Sequence, residues 1–360
     1  MKLPETMHAM VLMGHGDMDQ YHWHDAWPVS APKATEVLIK VGACGLNNTD
    51  VNTRSGWYSK SVTENTTGAA YDDVGEEDPS WGGAPITFPR IQGADICGII
   101  VAVGEDIDKN RIGERVITDN WLRDADDLNN LNKIGYLGSE CDGGFAQYAA
   151  IPARNALKVA SDHSDAELAT FSCSYSTAEG MLRRARVTQD DCVLVPGASG
   201  GVGGALVQLA KLRECRVIAL ASEQKHEAVR ALGADLVLPR APDHIKRLLR
   251  NETITVLADV VGGKSWPEWL DLLVRGGRYT CSGAIAGPIV PLDLRTLYLR
   301  DLTFTGSTVI DHDVMPAIVR YIEGRHIKPV LSATYDLRDL CDAQTAFIAK
   351  QYTGNIVVQP

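Results

Sequence analysis

The chain has no closely spaced cysteine pairs, no long apolar run and no surplus of positive charge, and each absence removes a class of protein. Its 8 cysteines are scattered, with no C-x-x-C pair among them. Several sit in apolar runs such as Asp191-Cys192-Val193-Leu194-Val195, which suits buried thiols in a reducing compartment better than a disulfide framework. No stretch approaches the ~18 consecutive apolar residues of a membrane span, and the opening Met1-Lys2-Leu3-Pro4-Glu5-Thr6 lacks the apolar core of a signal peptide. The expectation is a soluble, cytoplasmic protein. A formal net charge of −11 repels phosphate backbones and excludes a nucleic-acid binder. Internal repeats and the composition of collagen or of a disordered chain are missing as well.

What remains is a globular chain of 360 residues, 45% of them hydrophobic, enough for about two domains at ~100 to 200 residues each. The charge is uneven. Residues 61–145 hold 17 Asp/Glu against 6 Lys/Arg, which leaves 29 against 29 elsewhere. In the opening third, residues 7–13, 36–41 and 96–103 alternate or run apolar with β-branched side chains and read as strands. Residues 55–89, with the acidic insertion 59–88, and residues 119–144 are polar and read as solvated surface loops. From residue 161 strands and helices alternate. Helices are expected at 166–178, 201–211, 225–232, 243–249, 265–274 and 314–323, and strands at 192–195, 216–220, 236–238, 256–261, 278–281 and 355–358. This alternation predicts an α/β fold with a doubly wound parallel sheet covered by helices on both faces.

The most informative stretch is Val193-Leu194-Val195-Pro196-Gly197-Ala198-Ser199-Gly200-Gly201-Val202-Gly203-Gly204. A buried strand meets a helix here, the context required by the dinucleotide fingerprint. Gly200 and Gly203 take its second and third glycine positions, and Ala198 stands at the first. Ser199, Gly200, Gly201, Val202 and Gly203 are therefore candidate cofactor residues, their backbone approaching a pyrophosphate at the helix N-terminus. At the end of the next strand an NAD site usually presents an Asp or Glu, about 20 residues past the glycines. Ser222 stands there, with Lys225 one turn on. A hydroxyl and an ammonium suit a 2′-phosphate, so the expected cofactor is NADPH, although Glu223 turned inward favours NADH.

These features resemble the medium-chain dehydrogenase/reductase superfamily over nearly the whole chain. The likeness is carried by the segment from Val41 to Asp50, Gly93-Ala94-Asp95-Ile96-Cys97-Gly98, Gly113-Glu114-Arg115-Val116, Asp142-Gly143-Gly144-Phe145-Ala146 and the glycine turn. The resemblance implies a GroES-like β-barrel catalytic domain, residues 1–160 completed by 309–360, and a Rossmann doubly wound parallel sheet, residues 161–308. It places the cofactor between them. Zinc enzymes of this superfamily use Cys, His and a further Cys or acid. The matching positions here are Asn47, Ala94 and Cys173, and one thiolate falls short of the ~3 protein ligands of a catalytic site. No zinc is expected, and Cys173 reads as a core thiol.

Without zinc the chain is similar to the quinone oxidoreductase and enoyl reductase branch, on Asn47-Asn48-Thr49-Asp50 and Arg54-Ser55-Gly56-Trp57-Tyr58. The segment between Tyr58 and Pro89 is longer here than in quinone oxidoreductases. Tyr58 matches the enoyl reductase tyrosine and is the expected hydrogen-bond donor to a carbonyl oxygen and proton source. Asn47 and Thr49 are expected at the nicotinamide ribose or the substrate carbonyl, and Thr177 beside the nicotinamide ring. Gly262, Ser282 and Gly283 end successive strands, where open α/β sheets bind ligands. The cluster Tyr21, His22, Trp23, His24 and Trp27 reads as a cleft wall or packed loop, since two His alone are incomplete as a metal site.

The leading expectation is an NADPH-dependent, zinc-independent reductase of a quinone or an α,β-unsaturated carbonyl compound. The alternatives are an alcohol dehydrogenase or carbonyl reductase of the same superfamily, and a catalytically idle NADPH-binding structural or regulatory protein. The acidic insertion, if it lines the entrance, disfavours a polyanionic CoA thioester and leaves small uncharged substrates ahead. A homodimer paired through residues 302–307 is the expected assembly.

Overall fold

Aliphatic and β-branched runs become strands, and which faces they bury separates two sheets. The computed structural model describes residues 3–66, 85–240 and 244–360; the acidic run 72–78 lies outside them. The first part of the chain forms β1 (Thr6–Leu12), β2 (Tyr21–Pro28), β3 (Glu36–Gly45), α1 (Asn48–Ser55), β4 (Asp95–Val103), β5 (Arg115–Thr118), β6 (Trp121–Leu122), β7 (Gly135–Tyr136), β8 (Tyr148–Pro152) and β9 (Ala156–Lys158). The middle follows with α2 (Asp165–Leu168), α3 (Ser172–Arg184), β10 (Cys192–Pro196), α4 (Gly201–Leu212), β11 (Arg216–Leu220), α5 (His226–Ala231), β12 (Leu236–Leu238), α6 (Ile245–Leu248), β13 (Ile254–Asp259), α7 (Trp266–Leu270), β14 (Leu273–Cys281), α8 (Leu294–Tyr298) and β15 (Thr303–Gly306). The chain ends in α9 (Val314–Glu323), β16 (Leu331–Asp336), α10 (Leu340–Ala349) and β17 (Asn355–Gln359).

β10 to β15 form one parallel sheet in the order β12-β11-β10-β13-β14-β15. The order reverses at β10, the switch point at which doubly wound sheets bind ligands beyond their strand ends. Val193 and Val195 join one hydrophobic cluster and Leu194 the other. Burial on both faces explains why these strands read as continuous apolar runs. The second sheet has the order β16-β17-β3-β4-β5-β9, with β8 also on β3, and is antiparallel except for the β16–β17 pair. Thus the C-terminal strand completes the N-terminal barrel, and the helix before it, α10, is carried to the cleft.

Four expectations need correcting. The helix expected over 166–178 is two helices, because Ser164 and Glu167 form a capping box that starts α2 early, and α3 begins anew at Ser172. The helix expected over 265–274 stops at Leu270, since Leu273 is taken into β14 beside Ile254. Residues 119–144 are not simply solvated: Trp121 and Tyr136 are buried, face each other across the β6–β7 pair, and stack edge to face at 5.0 Å. Residues 21–28 are a strand paired with β1, not a loop, with Tyr21 buried and Trp23 and Trp27 packed on the core.

Candidate functional site

The glycine turn follows from strand-to-helix geometry at the switch point. Gly200 caps α4 with no side-chain cap, leaving the first N–H groups of that helix open to an anion. A Cβ on Gly203 meets Gly197 O at 2.2 Å and Ala198 Cα at 2.7 Å, so only glycine lets helix and turn pack this closely. A Cβ on Gly200 meets nothing nearer than 3.6 Å. There the backbone faces open space.

That space is two adjoining cavities, of about 440 and about 390 Å³, which share Asn48, Thr66, Gly197, Gly200, Gly201, Ile285 and Phe347. The first is lined by Ser199 and by three cations, Lys225, Arg240 and Lys350. The second is lined by Asn47, Thr49, Asn52, Trp57, Tyr58, Trp121, Tyr136, Cys173, Thr177, Val202, Gly203, Ser282 and Gly283, among others, and includes no charged side chain. No carboxylate lines either cavity among the described residues. The acidity of the catalytic half therefore does not reach the described walls. The start of the insertion does: Thr66 N–H donates to Ile285 O at 3.0 Å, bringing this strand of chain across the cleft.

The cations come from three distant segments. Lys225 Nζ donates to Lys350 O at 2.8 Å and also to Tyr352 O, so two of its three hydrogens already hold the chain between α10 and β17. This corrects the picture of a free ammonium offered to a phosphate. Lys350, the C-cap of α10, donates to Asn48 Oδ1 at 2.9 Å, and its Nζ lies 3.7 Å from the Phe347 ring centroid. Burial, and then the neighbouring Lys225, hold the Lys350 ammonium down to about 7. Arg240, exposed, stands two residues past the end of β12. Two other candidates sit away from the cavity walls. Ser222 is half-buried, and the Gly262 N–H donates to the buried Asp259 carboxylate, which shapes the turn after β13. Glu223 is exposed and lines neither cavity.

On the catalytic side α1 places the polar groups. Asn47 N–H donates to Asp50 Oδ2 at 2.7 Å at its start, and Gly56 ends it at φ +69 with its N–H on Asn52 O and Thr53 O. That left-handed turn aims Trp57 and Tyr58 into the second cavity. Tyr58 is 39% exposed, lines this cavity, and bonds with the Thr49 and Asn52 side chains. Burial of its hydroxyl end pushes the phenol up to about 12. Behind α1 a buried polar net fixes it: Arg54 donates to Gly16 O at 2.7 Å and to Gln344 Oε1 at 3.3 Å, Gln344 to Tyr21 Oη at 2.8 Å, Tyr21 to Gln92 Oε1, and Gln92 to Asp50 O at 3.2 Å. Since Gln344 belongs to α10, the net ties the helix bearing Phe347 and Lys350 to the helix bearing Thr49.

The residues present do not fit a catalytic zinc. Asn47, Ala94 and Cys173 offer one thiol, where a catalytic zinc takes about three protein ligands. Among the described residues no group of three or more His, Cys, Asp and Glu side chains stands together to hold a metal. They do fit a dinucleotide, with open N–H groups at α4, a glycine face without Cβ atoms and three cations beside it. Trp121, Tyr136, Arg240 and Lys350 escaped the sequence reading. Only the strand before Arg240, neighbour of β11, carries a sequence signal of its place.

Residues 33–161 match the family model described as alcohol dehydrogenase GroES-like domain, and residues 201–324 the model described as zinc-binding dehydrogenase. A crystal structure from Sinorhizobium meliloti, provisionally named an alcohol dehydrogenase, is 45% identical with a TM-score of 0.91, over 99% of this chain and 98% of that one. Acryloyl-coenzyme A reductase of Metallosphaera sedula is 26% identical over 98% of this chain and 99% of its own. NADPH-dependent alkenal/one oxidoreductase of Arabidopsis thaliana is 25% identical over 99% of this chain and 81% of its own. No helix among the described residues is long and apolar enough to cross a membrane.

Proposed function

The chain belongs to the medium-chain dehydrogenase/reductase superfamily, and from that premise we propose that it is an NADPH-dependent reductase of a conjugated carbonyl compound or quinone, working without zinc. The observation that carries this reading is the split in the cleft among the described residues: cations without carboxylates on one side of the glycine turn, hydroxyls and aromatic rings without charge on the other. The first side suits the phosphates of NADPH, and the second a neutral, flat acceptor. Two relatives point the same way, since acryloyl and alkenal/one both name a carbonyl conjugated to a double bond.

When bound, the cofactor supplies hydride to the β-carbon of the acceptor. The chain's own work is at the oxygen. Tyr58, kept protonated across the physiological range, donates a hydrogen bond to the oxygen as negative charge develops there, and Thr49 and Asn52 hold its hydroxyl in place. The same phenol supplies the proton that balances the added hydride, and the phenolate takes a proton back from solvent before the next turnover. Thr177, Ser282 and Gly283 would flank the nicotinamide, and Ser199 to Gly203 would hold the pyrophosphate. An alcohol dehydrogenase or carbonyl reductase, and an idle NADPH-binding protein, are separated by one experiment: NADPH and NADH consumption against quinones, enones, enoyl thioesters and aldehydes. Turnover of aldehydes alone, or of nothing, overturns the reading.

Two outcomes test the cofactor side. Arg240→Ala is expected to raise the Kd for NADPH about tenfold and leave that for NADH within twofold, as loss of one charge-assisted contact of about 1.5 kcal/mol implies; fluorescence titration measures both. Lys350 makes NADPH binding depend on pH. A bound phosphate raises the pKa that burial and Lys225 have lowered to about 7. The affinity is therefore fully present below about pH 7 and falls as pH rises above it, by up to tenfold per unit for one proton. Titration of NADPH from pH 6.5 to 9 checks the slope, and Lys350→Gln is expected to flatten it.

Assembly follows from the open edge of the parallel sheet. β15 ends the strand order, and the segment before it exposes Ile289, Leu294, Tyr298 and Leu299. An unpaired edge beside apolar surface suits a second copy of the chain. Light scattering is expected to give a dimer, and Leu294→Asp with Leu299→Asp a monomer.

A further inference from the structure

The second cavity holds another phenol whose hydrogen-bond polarity is fixed from behind. Asn120 Nδ2 donates to Asp95 Oδ1 at 2.7 Å and to Tyr136 Oη at 3.2 Å. An amide nitrogen has two hydrogens and accepts nothing, so both are committed and the Tyr136 oxygen is an acceptor on that side. The Asp95 carboxylate, buried and also receiving Cys173 N–H at 3.0 Å, keeps the amide from turning round. Tyr136 has one hydrogen left to give. It goes to the Cys173 side chain, which lines the same cavity. Sulfur is a weak acceptor, and a carbonyl or enolate oxygen is a far stronger one.

We propose that Tyr136 is a second oxyanion donor: with Tyr58 it hydrogen-bonds the substrate oxygen, giving up its contact to Cys173, while Asn120 and Asp95 act as positioning residues that fix the direction of its hydrogen. This rests on the reading of the cleft as a carbonyl-reducing site. Tyr136 keeps its proton throughout, and the proton that balances the added hydride comes from Tyr58. Three features agree with the assignment. The hydroxyl belongs to a ring that lines the cavity, although the residue itself is buried. Burial raises its pKa well above that of free tyrosine, so it stays a donor. The ring is fixed edge to face on Trp121, which limits reorientation during turnover.

The test is Tyr136→Phe, which keeps the ring. Its kcat on a conjugated carbonyl that the parent reduces is expected to fall about 10- to 100-fold, less than the 10²- to 10³-fold of a sole donor because Tyr58 remains. The Kd for NADPH stays at the parent value, while the melting temperature falls by a few degrees because the buried Asn120 amide loses an acceptor. A second readout needs no turnover: with oxidised cofactor bound, 4-nitrophenolate presents an anionic oxygen whose absorption reports its donors. Its affinity is expected to drop at least tenfold in Tyr136→Phe, and similarly in Asn120→Leu. Turnover and nitrophenolate binding both within twofold of the parent overturn the proposal. If the parent reduces no carbonyl compound, the proposed reaction fails, and the nitrophenolate comparison alone decides whether Tyr136 is a donor.

Discussion

Tyr58→Phe is expected to lower kcat about 10²- to 10³-fold with the Kd for NADPH unchanged, the effect of removing a donor aimed at developing negative charge. The reasoning is geometric. Gly56 ends α1 in a left-handed turn, the chain reverses, and the phenol is delivered beside Thr49 and Asn52, which bond to it. Phenylalanine keeps the ring and its stacking on Trp57, at 5.8 Å between centroids, so the loss isolates the hydroxyl. Because burial holds the phenol up to about 12, parent kcat is expected to show no alkaline fall from this group below about pH 11. Steady-state rates from pH 6 to 10 measure both. A variant within threefold of the parent removes Tyr58 from the chemistry.

Gly203→Ala is expected to weaken NADPH binding at least 100-fold and to lower thermal stability. The added Cβ falls 2.2 Å from Gly197 O and 2.7 Å from Ala198 Cα, and both obstacles are backbone, so the turn itself must shift. Overpacking of this kind costs about 1 to 3 kcal/mol. The N–H groups at the start of α4 move with it. Gly200→Ala is the informative contrast, because its Cβ meets nothing nearer than 3.6 Å and its backbone is extended at φ −81. That variant is expected to melt within about 1 °C of the parent, as an unstrained surface change does, yet still lose affinity, since the methyl occupies the space through which a pyrophosphate approaches. Fluorescence titration and thermal melts of the two variants separate packing from binding. Equal melting temperatures would show that Gly203 does not carry the turn.

The parallel sheet and its glycine turn were legible because their signals are local. A buried strand is a short apolar run, a helix repeats its apolar positions, and the turn between them needs glycine within a few residues. The helix at 314–323 has the bounds read from its periodicity. Short elements were harder: α2 is a single turn that ends at Leu168, and α3 starts anew at Ser172 within the same helix-prone run, while β6 and β7 are two residues long, below any periodicity. Asp119, Asp124 and Asp127 around them spell a surface loop, while Trp121 and Tyr136 among them are core.

The chain by itself therefore determined the family, the two kinds of sheet and the strand end where a dinucleotide fits. Its lack of closely spaced cysteines, and of zinc-ligand side chains at two of the three matching positions, Asn47 and Ala94, was also plain in the residues alone. Only the tertiary structure decided which side chains share the cleft. Lys225 meets the carbonyl of Lys350 across 125 positions, and Asn48 meets the Lys350 ammonium across 302. The reason is that periodicity records a residue's neighbours within an element, whereas a cleft between two sheets is lined by the ends of many elements. What brings those ends together is strand order and the return of β17 to the N-terminal barrel.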